Sequence, residues 1–183
     1  AISNPECIGE IVSLSGGTSF EGYYNNREAS TERVRNGWYW TGDLGYRDEA
    51  GFFYFGGRSA DWLRVDSENF AAGPVENIVS RFHGVVMAAV YPVPDPTTGD
   101  MVMVAIEMNE MTEFSPHKFD EFLSQQRDLG TKWSPQIVRV IEAMPLTANN
   151  KVHKPPLRAS KWFAADKHYW RPERSQPLRL MND

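Results

Sequence analysis

Over residues 7–14, CIGEIVSL, polar and apolar positions alternate loosely, and SGGTS supplies a turn, which predicts a first strand. Residues 22–26, GYYNN, read as a loop that runs into a short polar helix, with Gly37 as its stop. Trp38, Tyr39, Trp40 and Thr41 are aromatic or β-branched and predict a strand that breaks at Gly42-Asp43. The clearest hairpin follows, with arms at 45–47 and 52–55 around a turn at 48–51. Beyond Arg58 the pattern changes. Residues 62–65 form a short strand, 66–69 a polar turn, and Pro74 opens a helix carrying Val75, Ile78, Val79 and Phe82, which His83-Gly84 ends. Two near-continuous apolar strands, 85–93 and 101–108, flank a turn at 94–100 and predict a covered sheet. Ser115-Pro116 starts a helix to about Gln126 with Phe119, Phe122 and Leu123 as its stripe, and 137–141 is another strand. Residues 145–154 read as a polar loop, 155–159 as one helical turn, and 169–183 as a polar tail without periodicity. The expected class is α+β: a β-rich part, then a βαββαβ-like part, with a boundary near 56–61.

Composition narrows the functional classes. Lysine and arginine number 19 against 24 acids, a net charge of −5, which argues against a dedicated nucleic-acid binder. One cysteine, Cys7, excludes an internal disulfide framework and a cysteine-rich zinc site, and reads as a buried or idle thiol in a reducing compartment. His83, His117, His153 and His168 are too scattered to suggest a metal site. No apolar run approaches the roughly 20 residues of a membrane span. The first residues, AISNPECIGEIV, lack the basic and apolar regions of a secretory signal.

Four places offer chemistry. Tyr39-Trp40-Thr41-Gly42-Asp43 sets a carboxylate beside a glycine that permits close approach; Asp43 either caps a turn or accepts paired donors such as ribose hydroxyls. Arg58, in Gly57-Arg58-Ser59-Ala60-Asp61, offers a donor fork for phosphate or ribose oxygens, or forms a surface ion pair with Asp61 or Asp43. Glu68 and Asn69, just before the first long helix, serve as capping groups or as ligands. Lys151, in Pro145-Leu146-Thr147-Ala148-Asn149-Asn150-Lys151-Val152, is either solvated or catalytic.

Taken together and in order, these segments resemble the adenylate-forming enzymes, the superfamily of acyl-CoA synthetases, luciferases and peptide-synthetase adenylation domains. The resemblance runs from about Gly9 to Trp162 through Tyr-x-Thr-Gly-Asp, then Gly-Arg-x-x-Asp, then Pro-Leu-Thr with a following lysine. It is nearest to the fatty-acyl-CoA synthetase branch. It implies a two-step reaction in which a carboxylic acid attacks the α-phosphate of ATP, with Mg2+, and CoA then displaces AMP to give a thioester. It also implies a large N-terminal domain and a small mobile C-terminal domain. Residues 1–58 would end the large domain, 59–165 would be the small lid domain, and 166–183 a tail.

By position, the resemblance makes Asp43 the carboxylate that holds both ribose hydroxyls and Arg58 its companion at ribose and phosphate. Gly42 and Tyr39 join them at the nucleotide. Lys151 matches the lysine brought to the α-phosphate and the acid during adenylation. Ser67, Glu68 and Asn69 match the segment lining the CoA channel. Three positions depart from the family pattern: Asn150 and Ser67 stand where glycine is usual, and Ala60 stands at the hinge, where Asp or Lys is common. No phosphate loop is present, so the chain is expected to be a C-terminal fragment, inactive alone and partnered by the rest of its own large domain. A cytoplasmic location is expected, with peripheral membrane association allowed and no bound metal within the chain. Two other readings stand beside it: an adenylating enzyme that loads a carrier protein, and a non-catalytic module binding a nucleotide or a protein.

Overall fold

The computed structural model describes residues 8–95 and 99–181. Cys7 and the centre of the 94–100 turn lie outside them. The chain divides into two units, Ala1–Ala60 and Asp61–Asp183.

The first unit is a small antiparallel sheet. Strand β1 (Gly9–Ser13) and a four-residue helix α1 (Gly16–Ser19) precede α2 (Arg27–Arg33), whose N-cap Asn26 accepts a hydrogen bond from the Ala29 amide. A two-residue strand β2 (Val34–Arg35) turns through Asn36-Gly37 into the long β3 (Trp38–Arg47), and β4 (Phe53–Arg58) closes the hairpin. The hairpin turn is held by Asp48, whose carboxylate accepts from the Phe52 amide at 2.9 Å and the Tyr54 hydroxyl at 2.9 Å. β3 is the spine: β1 runs along it, β2 pairs with its start and β4 with its end. The expected break at Gly42-Asp43 is an irregularity within a continuous strand: β3 runs through both residues, but its pairing with β1 shifts register there, from Glu10–Leu44 to Val12–Trp40, and its pairing with β4 shifts between Leu44 and Gly45, where β4 has an extra residue.

The second unit builds a seven-stranded mixed sheet. A 3-10 turn (Ser59–Asp61) leads into β5 (Trp62–Val65) and β6 (Glu68–Ala71), a tight hairpin. Residues 66–69 are therefore not one polar turn: only Asp66 and Ser67 turn, and Glu68-Asn69 begin a strand. Helix α3 (Ala72–Val79) carries Pro74 in its first turn and ends earlier than expected, at Val79. β7 (Val85–Asp95) pairs antiparallel with β8 (Gly99–Met108); α4 (Pro116–Ser124), capped by Ser115, crosses to β9 (Ile137–Ile141), parallel to β8.

Alternation on these strands explains their apolar runs. Val90, Val102, Val104, Ile106 and Val138 face one core with Val75, Ile78 and Val79 of α3 and Phe119 and Leu123 of α4. Ala89, Tyr91, Val93, Met103, Ala105, Ile137 and Ile141 face a second core, which includes Leu157 of α5 (Lys154–Ser160). Both faces are covered, so neither needs polar positions.

The tail expected over 169–183 is folded over its described residues, 169–181; residues 182–183 lie outside them. β10 (Lys167–Trp170) pairs antiparallel with β9, and β11 (Arg179–Leu180) pairs with β10. Between them Arg171 is buried against the Asp120 carboxylate, which also accepts from the Leu178 amide. The segment was unreadable as structure because its buried residues include His168 and Arg171, which carry no hydrophobic periodicity.

Candidate functional site

In the first unit, Thr41 organises the start of the Thr-Gly-Asp segment of β3. Its hydroxyl donates to the Ile11 carbonyl at 2.7 Å and accepts from the Asp43 amide at 3.0 Å. The Gly42 amide donates to Glu10 Oε1 at 2.9 Å, and its φ is +75°. A Cβ at this position would meet only the end of the flexible Arg33 side chain, which can give way, so glycine is required here by its conformation. Arg33 in turn donates to the Trp40 carbonyl. Glu10, Arg33, Arg35 and Ser59 line a surface pocket of about 350 Å3 beside Gly42. Sequence reasoning missed Glu10 and Arg33, because neither lies in a motif and their partner is backbone.

Asp43 and Arg58 are opposite one another across β3 and β4. Arg58 Nε lies 3.2 Å from Asp43 Oδ1, and the Arg58 side chain is 65% exposed against 32% for Asp43. The pair is thus the Asp43 alternative, while Asp61 pairs with Lys154 and Arg158. Asp43 Oδ1 is buried yet receives no hydrogen bond, since the ion-pair geometry is not directed at its lone pairs. The unpartnered oxygen keeps acceptor capacity for hydroxyl donors, and the exposed guanidinium fork keeps further N–H groups free to donate to acceptor oxygens. The Tyr39 ring packs against Phe20 in a tilted arrangement, with ring centroids 4.8 Å apart. Its hydroxyl is pushed above the usual tyrosine range, first by a hydrogen bond with Tyr23 and then by burial, so it stays a neutral phenol.

In the second unit, Ser67 occupies the β5–β6 turn with φ +68°, and Asp66 beside it has φ +47°. Glu68 does not cap α3: its Oε1 accepts the Trp133 indole N–H at 2.8 Å, and the N-cap position belongs to Ala71, which makes no side-chain cap. Asn69 is exposed and lies opposite Arg64.

Lys151 is exposed on a turn of its own. The Thr147 amide donates to the Lys151 carbonyl at 2.7 Å, the Lys151 amide donates to Thr147 Oγ1 at 3.2 Å, and Leu146 bridges Val152. Asn150 closes the turn at φ +57°. Three residues on, Lys154 is anchored between Asp61 at 3.2 Å and Glu76 at 2.8 Å. Glu76 also takes the Val90 amide, and Arg158 reaches Asp61 at 2.6 Å. This charge cluster, which no sequence motif announces, fixes the base of the Lys151 turn and leaves its tip free. The proposed site residues thus fall on three structures: the β3–β4 ladder, the β5–β6 hairpin and the 147–150 turn.

Residues 74–151 match the family described as AMP-binding enzyme C-terminal domain. The chain is 52% identical over 166 residues to a steroid-22-oyl-CoA synthetase of Rhodococcus jostii, an alignment covering 90% of this chain and 30% of the relative. It is 46% identical over 159 residues to a medium/long-chain-fatty-acid–CoA ligase of Mycobacterium tuberculosis, covering 87% of this chain and 32% of that one. Among solved structures it resembles the AMP complex of O-succinylbenzoate coenzyme A synthetase from Bacillus subtilis, with 25% identity, a TM-score of 0.63, and coverage of 87% and 31%. The chain therefore spans about a third of the length of the curated relatives it matches. Residues 74–151 thus carry the C-terminal domain of AMP-binding enzymes, and across both units the chain is similar to two CoA ligases.

Proposed function

We propose that the chain is the C-terminal part of an ATP-dependent carboxylic acid–CoA ligase, which forms an acyl-adenylate and then a CoA thioester. The observation that carries this reading is Asp43 Oδ1: a buried carboxylate oxygen without a hydrogen bond, beside an exposed arginine, matches the demand of a ribose diol next to a phosphate. In this reading Asp43 accepts both ribose hydroxyls, Arg58 adds donors at ribose and phosphate, and Gly42 and Tyr39 shape the adjoining wall. Lys151 supplies a compact positive charge where the acid oxygen and the α-phosphate oxygens gather charge. The hairpin at Ser67, Glu68 and Asn69 lines the path of the CoA thiol in the second step.

The acid is proposed to be hydrophobic, a fatty acid or a steroid side-chain acid, on the strength of the two CoA-ligase relatives. The acid pocket and the triphosphate loop would lie in the rest of the large domain, of which residues 1–58 are one end. Magnesium would accompany ATP there. Among the described residues no cluster of three acids, histidines or cysteines suits a metal, so no step is assigned to one here. No helix among the described residues is long and apolar enough to cross a membrane. We place the enzyme in the cytoplasm, where ATP and CoA are supplied.

The test is acid-dependent ATP–pyrophosphate exchange by the full-length protein, with fatty acids of several lengths and a steroid side-chain acid. Exchange is expected with at least one hydrophobic acid, and Asp43→Asn should lower it about 100-fold, the worth of two charge-assisted hydrogen bonds. No exchange with any acid, or an Asp43→Asn variant at the wild-type rate, would contradict the reading.

A further inference from the structure

The β5–β6 turn places two consecutive non-glycine residues in the left-handed region, Asp66 at φ +47° and Ser67 at φ +68°. Such a turn matches the strand twist, but serine has little intrinsic tolerance for it, so something must hold the conformation. Four donors do so. Arg174 Nη1 donates to Asp66 Oδ2 at 2.8 Å, and Lys132 Nζ donates to the Asp66 carbonyl at 2.8 Å. Trp133 Nε1 donates to Glu68 Oε1 at 2.8 Å, while the Trp133 ring stacks on Phe70 with centroids 5.1 Å apart. Arg174 Nη2 also reaches Gln136 Oε1 at 3.3 Å, joining the turn to the segment that enters β9.

Arg174 comes from a part of the chain 108 positions away from Asp66, beyond the stretch that carries the superfamily motifs. Its own position is fixed. Arg171, at the end of β10, donates through its backbone to the Gln136 carbonyl at 3.0 Å and through its guanidinium to the carbonyls of Arg174 and Gln176. The same guanidinium is locked on Asp120. The C-terminal segment is therefore a strap: sheet pairing and Arg171 hold it to the domain, and Arg174 projects from it onto the turn. Arg174 and Asp66 are largely withdrawn from solvent, their side chains 22% and 34% exposed, which makes the pair stronger than an open surface bridge.

We propose that Arg174 is a positioning residue for the thioester step: through Asp66 it holds the 66–67 turn in the shape that lines the CoA path. This rests on the role given to that hairpin under Proposed function. Without the clamp, the serine relaxes toward negative φ and the turn splays, carrying Glu68 and Asn69 with it. Glycine at 67 would need no clamp, because it adopts the left-handed conformation unaided.

The first measurement is amide hydrogen exchange on the chain itself. Arg174→Ala should speed exchange across residues 65–71 about tenfold or more, with the amides of β7 and β8 changing by less than about twofold. Adding Ser67→Gly to Arg174→Ala should restore most of the protection. Unchanged exchange at 65–71, an equal rise in β7 and β8, or no rescue by glycine would overturn the clamp.

The second measurement is made on the full-length ligase at matched folded fraction. Arg174→Ala should lower thioester formation from preformed acyl-adenylate and CoA about tenfold, and Arg174→Lys less, while acyl-adenylate formation stays within about twofold. A loosened hairpin with an unchanged thioester rate would overturn the positioning role. Acid-dependent pyrophosphate exchange reports separately on the enzymatic reading, since it needs neither CoA nor the hairpin.

Discussion

Asn150 holds a left-handed φ of +57° immediately before Lys151, at the position where the superfamily usually has glycine. Asparagine is among the few residues that accept this conformation, so the departure from glycine leaves the turn intact. Asn150→Gly should then be neutral within about 0.5 kcal/mol, while Asn150→Val should cost about 1–2 kcal/mol of local stability. Amide exchange of Lys151 and Val152 reads the difference; equal protection in all three forms would remove the backbone argument. Gly42 is held by its φ of +75°, while the Arg33 side-chain end beside it can move aside. Gly42→Ala should destabilise the first unit by about 1–2 kcal/mol in urea unfolding, and a loss under about 0.5 kcal/mol would refute the conformational argument. At this scale the sequence was partly legible. Gly42, Asp43 and Lys151 stand out as residue types in a pattern, whereas Glu10, Arg33, Lys154 and Arg174 act through partners dozens of positions away.

Among the elements, the strands 85–108 were readable because both faces are apolar, and the helix stripes at Val75–Val79 spacing and Phe119–Leu123 spacing point to the core they reach. Two elements were not. β3 runs through Gly-Asp because the Glu10 carboxylate, the Thr41 hydroxyl and pairing with β4 satisfy a backbone that propensity alone would break, at the point where the β1 ladder shifts register. β10 and β11 contain buried His168 and flank buried Arg171, so polar residues do the work usually given to valine. Burial disfavours the imidazolium and holds His168 below its ordinary pKa of 6.5. The unfolded chain therefore binds this proton more readily than the folded one. The contribution of His168 is present above about pH 6.5 and is lost as pH falls through the lower folded value. The urea midpoint should drop between pH 7.5 and 5.5, and by less in His168→Gln; equal drops in the two forms would contradict this assignment.

At the scale of the whole chain, the boundary between the two units falls between Ala60 and Asp61, after β4 has ended and before β5 begins. Asp61 is held by Lys154 and Arg158 while Gly57 and Arg58 are paired to β3, so a joint is proposed at 59–60. Limited proteolysis should cut near 59–60 before it cuts within 85–108, and the reverse order would place the joint elsewhere. The 183-residue chain by itself should fold and give no ATP–pyrophosphate exchange above a blank, because the acid and triphosphate sites are proposed to lie in the rest of the large domain. Clear exchange by the chain alone would show that those sites are within it. The boundary was legible as a change from hairpin chemistry to alternating helices and strands. The extent of the second unit was not, since the strap that completes its sheet reads as tail.

The central claim is that Lys151, on its free turn, serves adenylation and not thioester formation. The direct measurement is a pair of single-turnover rates in the full-length protein, wild type and Lys151→Ala, at matched folded fraction. Acyl-adenylate formation should fall by two to three orders of magnitude, about 3–4 kcal/mol for one well-placed charge, because in the proposed role the ammonium meets the reacting oxygens only in that step. Thioester formation from preformed acyl-adenylate and CoA should stay within about twofold of wild type. If both rates fall together, or if neither falls, Lys151 is not the adenylation lysine and the account is wrong at its centre.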